Sequence, residues 1–125
     1  MTPITLTLPG TIRIKKNSKR VFGMGGFKRI LPSKAYLKWE AQARESIWQA
    51  AIVPPLDGPI WVEAHCFYKG NRPDLSGAME SIGDCLEGLI YINDSQIVSW
   101  DGSRLYRDKE NPRTEIIIRW GNDVL

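Results

Sequence analysis

Four acidic side chains, Asp74, Glu80, Asp84 and Asp94, fall in the two segments Arg72 to Leu86 and Ile92 to Val98 of a chain that is otherwise basic. Carboxylates are hard oxygen donors, and a few of them suffice for Mg²⁺, which keeps several waters of its own. Acid gathered in a basic chain therefore points to a divalent ion facing a polyanion. Phosphodiester hydrolysis is the matching chemistry. A water must be deprotonated near neutral pH and charge must be stabilised on the phosphorane and the leaving oxygen; bound Mg²⁺ can do both. Each acid also has a plainer use. Asp74 could be a helix N-cap, and Asp94 in Asn93-Asp94-Ser95 could be a turn residue. Glu80 and Asp84, four residues apart, could be a solvated helix face, since like charges at that spacing cost only about 0.2–0.5 kcal/mol.

The elements that must carry these groups can be laid out from the pattern. Ile4, Leu6 and Leu8 alternate with threonines as a first strand, with Ile12 and Ile14 as an expected continuation after Pro9-Gly10. Ser33 is placed to cap a helix over Lys34 to Ala51, with Tyr36, Trp39, Ala43, Ile47 and Ala50 inward. Pro54-Pro55 and Gly58-Pro59 form a connector. The run from Ile60 to Tyr68 alternates as a strand, and its only histidine, His65, is expected to be packed rather than catalytic. A second helix over Leu75 to Glu87 has Leu75, Ala78, Met79, Ile82, Cys85 and Leu86 as its apolar stripe, and Ser76, Glu80 and Asp84 on the other side. Gly88 is a C′ stop. That helix starts at Asp74, and one short connection after it can bring Asp94 back to the same end. Strands over Gln96 to Trp100 and Thr114 to Trp120 complete the set. Between them Arg104, Arg107, Lys109 and Arg113 sit in an expected hairpin, as phosphate contacts or as solvated charge. The fold class is α/β (α+β), a single domain with two main helices packed on a mixed sheet.

Composition bounds the rest. A chain of 125 residues makes one domain with a real core. Its net charge of +3 is unevenly spread. The first acid is Glu40, and nine of the 17 bases precede it. Lys15, Lys16, Lys19, Arg20, Lys28 and Arg29, with Gly23, Gly25 and Gly26, make a basic flexible loop over about 15–31 that could track phosphates or be a solvated arm. It lacks the Gly-Lys-Ser/Thr ending of a P-loop. Cys66 and Cys85 show no metal or disulfide spacing and read as small core residues of a reducing compartment. With no membrane-length apolar run and no signal-peptide pattern, a cytoplasmic location without a membrane partner is expected. The five tryptophans are core or interface candidates, one of which could stack on an unpaired base.

The steps Asp74-Leu75, Asp84-Cys85-Leu86 and Asp94-Ser95-Gln96-Ile97 resemble the signature of the RusA-type Holliday-junction resolvases, small endonucleases common in prophages. That signature is roughly D-L-D-N, a lysine three residues later, D-x-L, and then D-D-x-Q-V. The Lys15-Lys16-Asn17-Ser18 arm is similar too. The resemblance implies an α/β homodimer that cuts four-way DNA junctions in recombination or repair with Mg²⁺ (Mn²⁺ as a substitute) and no organic cofactor. By it, Asp74 and Asp94 would bind the metal, Asp84 would support them, and Arg72 would hold the scissile phosphate region. A two-fold protein suits a junction because it presents one site to each of two opposed strands. The chain departs from the signature at four positions: Ser76 stands for the second aspartate, Gly77 for asparagine, Glu80 for lysine and Asn93 for an acid. Glu80, one helical turn from Ser76, is expected to supply the missing carboxylate as a third metal ligand. If it does not, the expectation is a catalytically impaired branched-DNA-binding protein; a plain interaction protein with a basic arm is the third alternative.

Overall fold

A computed structural model describes residues 2–15, 19–22, 29–50 and 54–121. In chain order the elements are β1 (Ile4–Pro9), β2 (Lys19–Phe22), β3 (Arg29–Pro32), α1 (Lys34–Trp48), β4 (Ile60–Tyr68), α2 (Leu75–Leu86), β5 (Ile97–Ser99), β6 (Arg104–Arg107) and β7 (Arg113–Trp120), with a 3-10 turn at Asp94–Gln96 before β5. β7 lies antiparallel between β1 and β4. The other edge of β4 takes two short parallel partners in succession, β5 at its start and β6 at its end. The result is the expected α+β domain on a mixed sheet.

Strict alternation decides which face is covered. Ile60, Val62, Ala64, Cys66 and Tyr68 of β4 are buried, as are Thr114, Ile116 and Ile118 of β7. Of these, Ile60, Val62, Ala64, Cys66, Ile116 and Ile118 pack with Tyr36, Trp39, Ala43 and Ile47 of α1 and with Ala78, Ile82, Cys85 and Leu86 of α2. Both helices thus cover one side of the sheet. Burial pushes the Cys66 thiol up to about 11 and the Cys85 thiol up to about 12, which suits inert core residues. The opposite side carries partly exposed Trp61, Glu63, His65 and Phe67. Here Arg119 pairs with Glu63 and lies over Trp61, while Arg113 pairs with Asp108 and lies over Phe67. His65 belongs to this outer side, between Glu63 (2.6 Å) and Tyr106 (2.9 Å), so ionic and phenolic partners hold it rather than the core.

Several local expectations change. Ile12 and Ile14 do not extend β1; the chain leaves the sheet at Gly10, and both side chains are buried against the body as pegs. The segment over 15–31 contains the antiparallel hairpin β2–β3, with Lys19, Arg20 and Arg29 on its strands. Lys16, Lys28 and the three loop glycines lie outside the described residues. β6 is a strand, and it does not form a hairpin with β7: the two border β4 on opposite sides. α1 ends at Trp48 rather than Ala51. Ser33 caps it as expected, its Oγ accepting the Tyr36 N–H at 3.1 Å.

Candidate active site

The site is built around α2. Leu75–Leu86 is helical because an apolar stripe recurs at helical spacing, and it ends at Gly88, whose φ of +84° continues no right-handed helix. Asp74 occupies the N-cap position in extended backbone, yet its carboxylate makes no capping bond to the helix. It accepts instead from the Ser76 hydroxyl at 3.0 Å. The plain N-cap reading of Asp74 therefore does not describe its side chain.

Asp94 is held in a turn, as its place in Asn93-Asp94-Ser95 allowed. Asn93 caps the 3-10 turn, its Oδ1 accepting from Ser95 N–H at 2.9 Å. Gln96 does more. Its Oε1 accepts from the N–H groups of Ile92 and Asn93, and its Nε2 donates to the carbonyls of Leu56 and Gly58, all four at 3.0 Å. The turn is thereby clamped to the connector between α1 and β4. Glu87, just past α2, accepts the Asp94 N–H at 3.0 Å. The turn and the helix end are one unit, and Asp94 projects from it exposed.

Exposed Glu80 and Asp94 line one cavity of about 260 Å³ together with Ser76, Met79, Gly83, Ile97 and Trp100. Asp84, one turn beyond Glu80, is half-buried, and its main-chain carbonyl accepts from Arg44 of α1 at 2.8 Å. Burial raises the Asp84 carboxyl above the usual carboxylate range; the charges of Glu80, Asp94 and Glu87 push the same way, and Lys15 alone opposes them. Glu80, Asp84, Glu87 and Asp94 thus form one interacting acidic group with Lys15 at its margin. Asp74 lies on the far side of Ser76, in a separate cavity of about 570 Å³ with Arg72, Ser103 and Arg104.

Lys15 reaches this margin because Ile14 packs on α2 at Gly77. A Cβ placed on Gly77 would stand 2.7 Å from Ile14 Cγ2. No side chain larger than hydrogen fits there without movement, so the glycine is the seat of the incoming segment.

Of the expected metal ligands, Glu80 and Asp94 share a cavity, and Asp74 belongs to its neighbour. Among the described residues no three Asp, Glu, His or Cys side chains gather as ligands for one ion. The donor set still suits Mg²⁺, which is commonly held by one or two carboxylates plus substrate oxygens. Arg72 is exposed and lines the same cavity as Asp74. The sequence reading gave no role to Glu87 or Arg44 and had Gln96 only as a signature residue at the start of a strand; Arg44 and the Gln96 Nε2 bond main-chain carbonyls far away in the chain. It also could not choose a tryptophan; Trp100 is the one that lines the Glu80–Asp94 cavity.

This small α+β domain carries one cavity lined by Arg72, Arg104 and Asp74 and another lined by Glu80 and Asp94. The family model for "Endodeoxyribonuclease RusA" matches residues 9–119, and the chain belongs to that family. It is also similar to "Uncharacterized protein YqaN" of Bacillus subtilis (strain 168), 39% identical over 49 residues. That match covers 39% of this chain and 33% of the relative, so it spans about a third of the relative's length. No helix among the described residues is long and apolar enough to cross a membrane.

Proposed function

We propose that this protein is a divalent-metal-dependent endodeoxyribonuclease that cuts branched DNA, with the four-way junction as its substrate and a homodimer as its working form. The observation that carries the reading is that Glu80 and Asp94, from two different elements, open into one cavity beside half-buried Asp84. Mutual repulsion in that group is relieved by a bound cation, which is what a metal site requires of its apo form. Glu80 and Asp94 would hold Mg²⁺, with Mn²⁺ as a substitute, and Asp74 would complete the shell once a substrate phosphate lies between the two cavities. The ion, when bound, supplies a water of lowered pKa and neutralises charge on the phosphorane.

The chain's own groups do the remaining work. Ser76 fixes the Asp74 carboxylate by donating to it. The Gln96 clamp ties the turn that carries Asp94 to the connector before β4. Arg72, with Arg104 across the cavity, faces the phosphate side. Asp84 adds negative charge from below and sets the field in which Glu80 and Asp94 act.

A second reading, a branched-DNA-binding protein that does not cut, is favoured by the lack of a three-carboxylate cluster among the described residues. One gel separates the two. Labelled four-way and linear duplexes are incubated with the protein, with and without Mg²⁺. Mg²⁺-dependent nicking of the junction supports the nuclease, and loss of nicking with retained binding in Asp94→Asn supports the assigned site. Tight junction binding without nicking in Mg²⁺ or Mn²⁺ supports the second reading. Unchanged cleavage by Glu80→Gln would remove Glu80 from the metal shell.

A further inference from the structure

The cavity that holds Asp74 does not end there. It adjoins another of about 390 Å³, and the two share Arg72 and Pro73 as a common wall. Together they make a trough beside the start of α2. Arg13, Lys69 and Arg72 line its outer part, and Arg72 and Arg104 its inner part. Among the described residues Asp74 is the single carboxylate in either lining.

These cations differ from others on the molecule. Arg113 and Arg119, on the outer face of the sheet, are paired with Asp108 and Glu115 and with Glu63. Arg13, Lys69 and Arg72 are exposed and have no carboxylate partner among the described residues. A row of exposed, unpaired cations carries uncompensated positive potential, which draws a polyanion.

The walls are also fixed. The Thr11 hydroxyl accepts the Lys69 N–H at 3.1 Å, tying the segment after β1 to the end of β4. Ile14 seats on Gly77 at the other end of that segment. Arg107 donates to the Gly70 carbonyl at 3.3 Å and lies over the Tyr68 ring, bracing the loop that carries Lys69. Cations held on a braced frame lose less conformational entropy on binding than cations on a free arm.

We propose that this trough, rather than the basic hairpin alone, is the track for a DNA sugar–phosphate backbone, with Arg13 and Lys69 as its outer phosphate contacts. The proposal rests on the nuclease reading for the identity of the polyanion and deepens it by giving the strand a path. A backbone lying along Arg13, Lys69 and Arg72 runs to Asp74 and Ser76, and the next cavity holds Glu80 and Asp94. The track therefore leads to Asp74, which is hydrogen-bonded to Ser76 of the cavity that Glu80 and Asp94 line.

The test is a binding measurement on the full chain. The Arg13→Gln/Lys69→Gln double variant is compared with wild type on a labelled four-way junction without metal, from 50 to 200 mM salt. Each lost phosphate contact lowers the log–log salt slope by about 0.9. The double variant should therefore show a slope shallower by about 1.8 and an affinity at least about tenfold weaker at the low-salt end. Lys38→Gln, exposed on α1, should leave both unchanged. A thermal melt of each variant distinguishes lost contacts from lost fold. If wild type binds the junction and the double variant keeps its slope and affinity, the track is refuted while the nuclease reading stands. If the double variant shows the expected slope change but wild type never nicks the same junction when Mg²⁺ or Mn²⁺ is added, the track stands and the nuclease reading falls. If wild type binds no DNA at any salt, the track is refuted with it.

Discussion

Placing one methyl group on Gly77 tests how the N-terminal segment is attached. Gly77→Ala brings a Cβ to 2.7 Å from Ile14 Cγ2, 3.2 Å from its Cδ1 and 3.4 Å from its Cγ1. Carbon atoms pack near 3.5–4.0 Å, so Ile14 must retreat by roughly 1 Å. Ile14 is 7% exposed and cannot swing out without losing burial. Overpacking of this kind costs about 1–3 kcal/mol. Against it stands a gain of about 0.5–1 kcal/mol for replacing glycine inside a helix. The net expectation is destabilisation centred on about 1 kcal/mol, within about 0–2.5 kcal/mol, measured by urea unfolding. The decisive comparison is the same change made in Ile14→Ala. There the opposing atoms are gone, only the helix term remains, and Gly77→Ala should stabilise by about 0.5–1 kcal/mol. A sign reversal between the two backgrounds identifies the contact as the cause. If Gly77→Ala shifts the midpoint by the same amount and in the same direction in both, Ile14 does not seat on Gly77 and the account of how Lys15 reaches the acidic group is wrong.

Other expectations follow from the same geometry. Gln96→Ala removes four hydrogen bonds of 3.0 Å and should cost about 2–3 kcal/mol in urea unfolding, with faster hydrogen exchange at Ile92 and Asn93; a cost below about 0.5 kcal/mol would show that the turn holds without its clamp. The Glu63 carboxyl is held below its usual value of 4.5, first by the His65 hydrogen bond and then by Arg119. Its stabilising contribution is therefore full above about pH 4.5 and is lost as pH falls through the lowered folded value. Glu63→Gln should lower the melting temperature at pH 7 and converge on wild type in acid; a constant difference down to pH 3 would show that the carboxylate is not the cause. Lys15→Gln removes the one charge that lowers the Asp84 carboxyl, so the acidic limb of the pH–cleavage profile should move to higher pH, and a limb that stays in place would separate Lys15 from the site.

What could be read in the chain depended on how local its cause was. The boundaries of β4 followed from nine residues of strict alternation, and the Ser33 cap and the Gly88 stop followed from single residues with single uses. β6 escaped because Arg104 and Arg107 are exposed while Leu105 and Tyr106 are both half-buried, which is no period-2 pattern. Its strand character comes from the edge of β4, not from its own residues. The hairpin β2–β3 was hidden by its bases and by the glycines between its strands. At the site, the acids and their order were legible, but their grouping was not. That Glu80 shares a cavity with Asp94, while Asp74 shares one with Arg72 and Arg104, depends on how α2 packs beside the segments that follow it.

The four departures from the family signature make physical sense together. Two of them remove a carboxylate, at positions 76 and 93, and one turns a lysine into a carboxylate at position 80, so the changes cancel in net charge. Each new side chain also has a local use. Ser76 donates to Asp74, and Asn93 caps the turn that carries Asp94. Gly77 admits Ile14, and with it Lys15, to the flank of α2. Glu80 opens into the cavity of Asp94. A cation at position 80 would have neutralised the acidic group from within its own helix. Here the opposing charge comes from Lys15, on a segment that must be seated on Gly77 before it can act. The acidic group is therefore coupled to the attachment of the N-terminal segment, and that same segment carries Arg13 into the trough. A change that loosens the segment should disturb DNA affinity and Asp84 ionisation together, because one packing contact positions both bases.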